Sequence, residues 1–402
     1  MDRFHEHFRT LQYYWADPDW LRDRMLFVSG PRQVGKTTLV THTLCTKEDA
    51  YFNWDNRKIR LAYQKDADFF AGSGSKWICF DEIHKRPKWK DILKGIYDTH
   101  KDRYRFVITG SARLDTFKKS GDSLVGRYFH TTLFPINLPD IHQTDFRLPE
   151  KPLTLLNQAA DTPDSPAFED LLACGGFPEP FFAGTGQFWK RWSDNHRDLI
   201  LTEDLRDISK VTEVDKIEAL LEMLDPAIGK PLSYSNFARD LETTHGSIRR
   251  WLEMLSRVQL VFAVPPYSKK VSRAYTQEKK WYFTDWRAAG GNVFENYVAS
   301  SLYRAVRLYT DRFGEKMSLY FVRTHDGTEV DFLLCREGNP WLLVEAKEGQ
   351  AEMTRGVYRF AAEFGVPCLV ATRKKNFFKK TKGNEGQTII GLSWSRLGVL
   401  LP

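Results

Sequence analysis

The sequence predicts an α/β protein whose N-terminal part is built on a parallel sheet, and three observations carry that reading. Short apolar runs of strand length recur at Met25–Ser29 (MLFVS), Ala50–Trp54, Trp77–Phe80 (WICF) and Arg105–Thr109 (RFVIT). Helical patterns lie between them, among them Thr37–Thr43 and Trp89–Tyr97. The first and last of the runs end on glycine, at Gly30 and Gly110. Strands alternating with helices close into a parallel sheet, with ligands bound at the carboxyl ends of the strands.

The totals bound what such a chain can be. A length of 402 residues suits two or three domains, each burying its own core. A hydrophobic content of 42% with 14% aromatics fits globular domains and excludes a disordered chain. Lysine and arginine exceed aspartate and glutamate by 59 to 52, a net charge of +7 that favours a polyanionic partner without requiring one. Cys45, Cys79, Cys174, Cys335 and Cys368 show no CxxC spacing, which argues for reduced thiols and against a zinc site or a disulfide frame. The opening MDRFHEHFRT lacks the pattern of a signal peptide. Nor does any apolar run approach the roughly 18 residues that span a bilayer, so the expected location is cytoplasmic, with no membrane partner.

The first strand leads into a phosphate-binding motif. Gly30, Pro31, Arg32, Gln33, Val34, Gly35, Lys36, Thr37 and Thr38 follow MLFVS and open a helix, and GPRQVGKT fits GxxxxGK[ST] at every fixed position. Glycines let backbone N–H groups turn in on phosphates, and the helix N-terminus adds a favourable dipole. Lys36 would reach the β- and γ-phosphates of ATP, and Thr37 would hold Mg²⁺ through its hydroxyl. The run Trp77–Phe80 ends in Asp81 and Glu82. Asp81 would bind the Mg²⁺ directly or through water, and Glu82 would orient and deprotonate an attacking water. Ser111, just past RFVIT, stands where it would sense the γ-phosphate or polarise that water. Arg127, in SLVGRYF, is the first candidate for the arginine that neutralises transition-state charge, ahead of Arg197 and Arg206.

GPRQVGKTTL, FDEIHKRPKWKDILK, ITGSARLD, SLVGRYF, LFPIN and CGGFPEP, in this order, resemble the AAA-type (AAA_14) ATPases that carry a DUF4143 C-terminal region. The resemblance runs through nearly the whole chain. It implies a P-loop core of the ASCE type, with Lys36, Thr37, Asp81 and Glu82 in the roles above. Ring assembly into a homo-oligomer is expected from the same resemblance, with an arginine finger supplied by a neighbouring subunit.

Beyond the core, Asp140–Pro166 is rich in Pro, Asp and Thr and reads as a connection, and helical patterns then run to Ile228. CGGFPEP (Cys174–Pro180) reads as a tight turn among them. Ser235–Leu241, a turn at Thr244–Gly246 and Ser247–Val258 have the spacing of a helix-turn-helix, and Gln259–Val264 with Lys280–Thr284 reads as its β-wing. Ser247, Arg249 and Arg250 fall near the start of the second helix, and Lys269, Lys270, Arg273, Lys279 and Lys280 crowd the wing as phosphate contacts would. Such a module also serves as a lid or subunit contact on ATPases. The basic run RKKNFFKKTKG (Arg373–Gly383) suits stacking on unpaired bases or a solvated loop anchored by two phenylalanines.

The last segment opens with a helix at Val293–Val306, followed by strand candidates and a helix near Tyr358–Phe364. VDFLLCREGNPWLLVEAKEG (Val330–Gly349) places an acid after one apolar run and Glu-Ala-Lys after the next. Glu345 and Lys347, two apart on a strand, share a face. Glu295, Asp331, Glu345 and Lys347 together resemble the PD-(D/E)xK nuclease pattern, with GTEVDFLL as its GxExD-like part and EAK as ExK. Asp331 and Glu345 would then hold Mg²⁺ and Lys347 would position a water, with Gln350 and Arg355 as auxiliary groups. The alternative is a hairpin that merely exposes its charges.

The expected fold class is therefore α/β throughout: a P-loop NTPase parallel-sheet core (1–140), a helical lid and connection (141–228), a winged helix-turn-helix (229–288) and a restriction-endonuclease-like α/β domain (289–402). The function expected is that of an ATP-hydrolysing protein that binds and remodels DNA, with Mg²⁺-dependent cleavage. Two rivals stand beside it: an ATPase that grips DNA without cutting, and a signal-responsive NTPase whose winged helix recruits a protein partner.

Overall fold

Met25–Ser29 is buried at every position, as a strand covered on both faces requires. The computed structural model describes residues 8–110, 124–205, 213–268, 278–383 and 385–402, and these fall into two compact units. Ser111, Arg206, Lys269, Lys270 and Arg273 lie outside the described residues. One unit takes the chain up to Pro135 together with Arg257–Gln259; the other takes Ile136–Ser256 and Leu260–Pro402.

In the first unit the order is α1 (Gln12–Ala16), α2 (Pro18–Leu21), β1 (Met25–Ser29), α3 (Lys36–Thr43), β2 (Tyr51–Asn53), α4 (Arg57–Lys65), β3 (Trp77–Asp81), α5 (Trp89–His100), β4 (Arg105–Thr109) and β5 (Tyr128–Thr132). Among the described residues these strands form one parallel sheet in the order β2-β3-β4-β1-β5. Strand β4 thus separates the strand of the phosphate loop from the strand that ends in Asp81. Phe70, Phe80 and Phe106 fill one side of the sheet with Leu93 and Ile96 of α5. The rings of Phe80 and Phe106 are stacked, and Phe70 meets both edge-on.

The second unit begins with helices: α6 (Leu138–His142), α7 (Pro152–Asp161), α8 (Ala167–Cys174), α9 (Pro178–Ala183), α10 (Gly186–Leu199), α11 (Val214–Leu224), α12 (Tyr234–Asp240) and α13 (His245–Arg257). Gly246 lies within α13 and not in a turn before it, because Thr244 caps the helix by accepting from the Ser247 N–H at 3.1 Å. The buried stripe of α13 is Ile248, Trp251, Leu252, Met254 and Leu255, which leaves Arg249 and Arg250 exposed. Strands β6 (Val261–Val264) and β7 (Lys280–Phe283) pair antiparallel. Then come α14 (Val293–Phe313), β8 (Met317–Arg323), β9 (Glu329–Arg336), β10 (Asn339–Lys347), α15 (Arg355–Phe364), β11 (Cys368–Thr372), β12 (Phe378–Lys382), β13 (Thr388–Ser393) and α16 (Trp394–Gly398).

Among the described residues the second sheet runs β12-β13-β11-β10-β9-β8. Strands β8, β9 and β10 are antiparallel neighbours, and β10 and β11 are parallel with α15 as the crossover. Helix α14 packs on β8 and β10, and α15 packs on β9 and β10. The basic run folds as the edge strand β12, with Phe377 packed against the core and Phe378 exposed, so one of its two phenylalanines is the anchor. All five cysteines are buried and free.

Asp285 lies against the CGGFPEP turn, where a Cβ on Gly175 would come within 2.8 Å of its Oδ1. Its carboxylate accepts from Trp189 Nε1 at 2.8 Å and from the Arg287 N–H at 3.3 Å. Burial pushes the Asp285 carboxyl up to about 6, outweighing those hydrogen bonds. A carboxyl with a raised folded-state pKa binds its proton more tightly folded than unfolded. Stability is then greatest below 3.8 and falls as pH rises towards about 6. Asp285→Asn is expected to remove about 3 kcal/mol of that decline, measured by urea unfolding across the window.

Candidate functional sites

In the first unit the phosphate loop joins the buried strand β1 to α3. Gly30 is required where it stands, since a Cβ there would come within 2.5 Å of the Leu133 carbonyl oxygen. Gly35 takes a left-handed conformation, φ 95°, immediately before the first residue of α3. Arg9 Nη2 donates to the Val34 carbonyl at 3.1 Å and ties the loop to the N-terminal helical segment. Lys36 Nζ donates to the carbonyls of Gly30 at 3.0 Å and Pro31 at 2.8 Å, which places the ammonium across the loop.

Asp81 ends β3, is buried, and collects three hydroxyls. Thr37 Oγ1 donates to Oδ2 at 3.1 Å, Thr109 Oγ1 donates to Oδ1 at 2.6 Å, and the Tyr51 hydroxyl also donates to Oδ2. The sequence reading brought Thr37 and Asp81 together and missed Tyr51 and Thr109. Both lie on strands bordering β3: Thr109 ends β4 and is paired with Asp81 directly, whereas Tyr51 opens β2 opposite Cys79 and reaches Asp81 through its long side chain. Burial and the Asp81 charge hold the Tyr51 phenol well above its ordinary range, so it remains a donor. The Thr37 hydroxyl and the Asp81 carboxylate are hard oxygen donors in contact, a pair that fits Mg²⁺.

Glu82 follows in a left-handed conformation, φ 56°, with its N–H on the Thr109 carbonyl at 2.9 Å. Its Oε2 lies 3.3 Å from Lys85 Nζ, which also binds Asp55 at 2.6 Å. Burial raises the Glu82 carboxyl, against the pull of Lys85. Arg127 immediately precedes β5, at the amino end of the strands, whereas the phosphate loop leaves their carboxyl end. It makes a two-pronged pair with Asp98 at 2.9 and 3.0 Å. Arg197 lies on α10 in the second unit.

In the second unit the structure brings Glu295, Asp331, Glu345 and Lys347 together. Beyond the pair Val344–Phe332 the β9–β10 ladder gives way to side chains. The Ala346 N–H donates to Asp331 Oδ2 at 2.9 Å, and the Asp331 N–H donates to Glu345 Oε2 at 3.3 Å. Each carboxylate is thus fixed by the other strand's backbone. Lys347 Nζ pairs with Glu345 Oε1 at 2.7 Å. Glu295, in the first turn of α14, accepts from the Tyr282 hydroxyl at 2.9 Å. Gly229 lies against it with φ +79°, and a Cβ there would meet the Glu295 carboxylate at 2.5 Å. Gln350 and Arg355 are exposed beyond the cluster.

Lys280 corrects the sequence reading. It was expected as a phosphate contact on the wing, yet its side chain is fully buried, with Nζ 2.6 Å from Glu329 Oε1 and 3.4 Å from Asp331 Oδ1. The cause is strand alternation: Lys280 and Tyr282 point the same way from β7, and Tyr282 reaches Glu295. Glu329, the first acid of GTEVDFLL, was left without a role; it lies two residues before Asp331 on β9 and so shares its face. Burial opposes the Lys280 ammonium, but Asp331, Glu295 and Glu329 together reverse this and raise it. Glu295 and Glu345 are both pushed up to about 7, first by burial and then by the charge of Asp331.

Oxygen donors in excess of ammonium groups suit a hard divalent cation. Among the described residues, however, no three His, Cys, Asp or Glu side chains stand in metal-binding geometry. In this conformation Lys280 and Lys347 hold the carboxylates that a cation would take.

Residues 22–142 match the family model described as AAA domain. Residues 165–286 and 290–394 match two domains of unknown function, DUF8612 and DUF4143. An uncharacterized protein of Mycobacterium tuberculosis is 24% identical over 80% of this chain and 69% of its own length. Another, of Methanocaldococcus jannaschii, is 21% identical over 86% and 80%. Among solved structures, the RuvB Holliday junction branch migration motor of Thermotoga maritima aligns with a TM-score of 0.28 and 16% identity, over 63% of this chain and 88% of that one. The McrB AAA+ hexamers with bound McrC of Thermococcus gammatolerans align at 0.21 and 12%, over 44% and 48%. No described helix is long and apolar enough to cross a membrane. The chain thus carries an AAA-type ATPase domain within residues 22–142 and a DUF4143 region at residues 290–394.

Proposed function

We propose that this AAA-type ATPase binds and remodels DNA, and that its C-terminal part is a PD-(D/E)xK nuclease-like domain. The observation that carries the nuclease reading is the convergence of Glu295, Asp331, Glu345 and Lys347 from α14, β9 and β10. The element order α14-β8-β9-β10-α15-β11 supports it, since it sets the acids on a hairpin beside a helix. Bound Mg²⁺ would supply Lewis-acid polarisation of a phosphodiester. Asp331 and Glu345 would hold it, and Lys347 would orient the attacking water. Helices α12 and α13 with the β6–β7 hairpin support a winged helix, with Ser247, Arg249 and Arg250 directed at DNA.

In the ATPase domain, ATP would lie on Gly30–Thr38 with Lys36 on its phosphates, Mg²⁺ on Thr37 and Asp81, and Glu82 as the base. Arg127, at the far end of its own sheet, suits a role on the nucleotide of a neighbouring copy in a homo-oligomer.

The test is a panel of linear, branched and single-stranded DNA with Mg²⁺ or Mn²⁺, with and without ATP. Wild type is expected to nick, Asp331→Ala and Lys347→Ala to lose at least about 100-fold of that activity, and Lys36→Ala to retain it. A wild type that cuts none of these substrates sinks the nuclease reading. The ammonium groups seated on Asp331 and Glu345 favour a second reading, in which this domain grips DNA without cutting. DNA-stimulated ATPase activity without nicking would select it.

A further inference from the structure

Lys280 comes from β7, outside the αβββαβ run that supplies Glu295, Asp331, Glu345 and Lys347, and its ammonium is withdrawn from solvent entirely. Removing an ammonium from water is costly unless carboxylates answer it. Glu329 Oε1 at 2.6 Å and Asp331 Oδ1 at 3.4 Å do so, and Nζ also lies over the Phe321 ring, 5.3 Å from its centroid. Asp331 is also the carboxylate through which the cluster is joined, since its Oδ2 takes the Ala346 N–H and its own N–H binds Glu345. The same strand supplies the Tyr282 hydroxyl to Glu295. One strand of the β6–β7 hairpin therefore places a positive charge on one acid of the cluster and a hydrogen bond on another.

We propose that Lys280 is an internal counter-ion that occupies the place of a divalent cation at Asp331, so that metal entry displaces it. This rests on the reading of the acidic cluster as a metal site. A monovalent and a divalent charge on one carboxylate repel each other, and the repulsion is strong where water is excluded. With Lys280 seated, Asp331 and Glu329 are held without metal. With Lys280 withdrawn, the cluster is left with acids and Lys347 alone, and its demand for a cation rises. Metal affinity is then set by the position of β7.

Calorimetric titration of the full chain with Mn²⁺ tests this, using wild type, Lys280→Met, Asp331→Asn and the double variant. Lys280→Met is expected to bind Mn²⁺ at least ten-fold more tightly than wild type, and both variants carrying Asp331→Asn to lose that site. Equal or weaker binding by Lys280→Met, with wild-type binding abolished by Asp331→Asn, overturns the counter-ion role and leaves the metal site standing. Binding by neither wild type nor Lys280→Met sinks the metal-site reading and the proposal with it. A second measurement needs no variant: lysine acetylation of wild type, read by mass spectrometry. Lys280 is expected to be protected in EDTA and labelled in saturating Mn²⁺, and protection in both conditions overturns displacement.

Discussion

Lys36→Ala is expected to lower ATP hydrolysis at least about 100-fold, the loss typical of removing one preorganised charge from a phosphoryl-transfer site. The expectation follows from placement. Lys36 is the first residue of α3, and its ammonium bridges two carbonyls of the loop that the phosphates would enter. Steady-state phosphate release and nucleotide titration separate its role from that of Glu82. Lys36→Ala should weaken binding and turnover together. Glu82→Gln should keep binding and lose turnover by a similar factor, because Thr37 is held by Asp81 while the Glu82 carboxylate pairs with Lys85. A Lys36→Ala variant that hydrolyses ATP at the wild-type rate would remove the phosphate loop from the mechanism.

Arg304→Ala is expected to destabilise the second unit by about 3–5 kcal/mol, the cost of leaving a buried charge without its partner. Arg304 Nη2 lies 2.9 Å from Asp140 Oδ1, and both side chains are almost wholly buried. Asp140 also accepts from the Asn137 N–H at 3.0 Å in a reciprocal cap of α6. Asn137 in turn donates to Ser301 at 2.9 Å and accepts from the Tyr297 hydroxyl on α14. The loss therefore strips a charge from Asp140 and loosens the junction of α6 with the helix that carries Glu295. Urea unfolding measures it, and a change below about 1 kcal/mol would mean that water reaches Asp140. Asp140→Asn with Arg304→Met should recover part of the loss, since neutral partners of similar volume avoid the unpaired charge.

How much of this was legible follows from how local each signal is. The phosphate loop, the acid pair at Asp81 and the limits of β1 and β4 depend on contiguous residues and emerge as expected. The group Glu295, Asp331, Glu345 and Lys347 was also legible, because strand alternation and an apolar run before each acid are properties of short segments. Tyr51 and Thr109 were not, since each is an ordinary strand residue until the sheet brings its hydroxyl to Asp81. Lys280 was misread for the opposite reason. In a basic stretch it looks like its neighbours, and only the long-range meeting of β7 with β9 distinguishes it. Charge runs give composition, whereas the face a charge presents is decided by tertiary contacts.

The basic edge strand β12 has a consequence for self-association. Among the described residues no strand pairs with its outer rim, and such an edge is the usual nucleus of edge-to-edge aggregation. Lys379, Lys380 and Lys382 are exposed along it. A second copy adding there would stack like charges about 4.8 Å apart, across one strand spacing. Like charge along this rim therefore disfavours the addition of a second copy there.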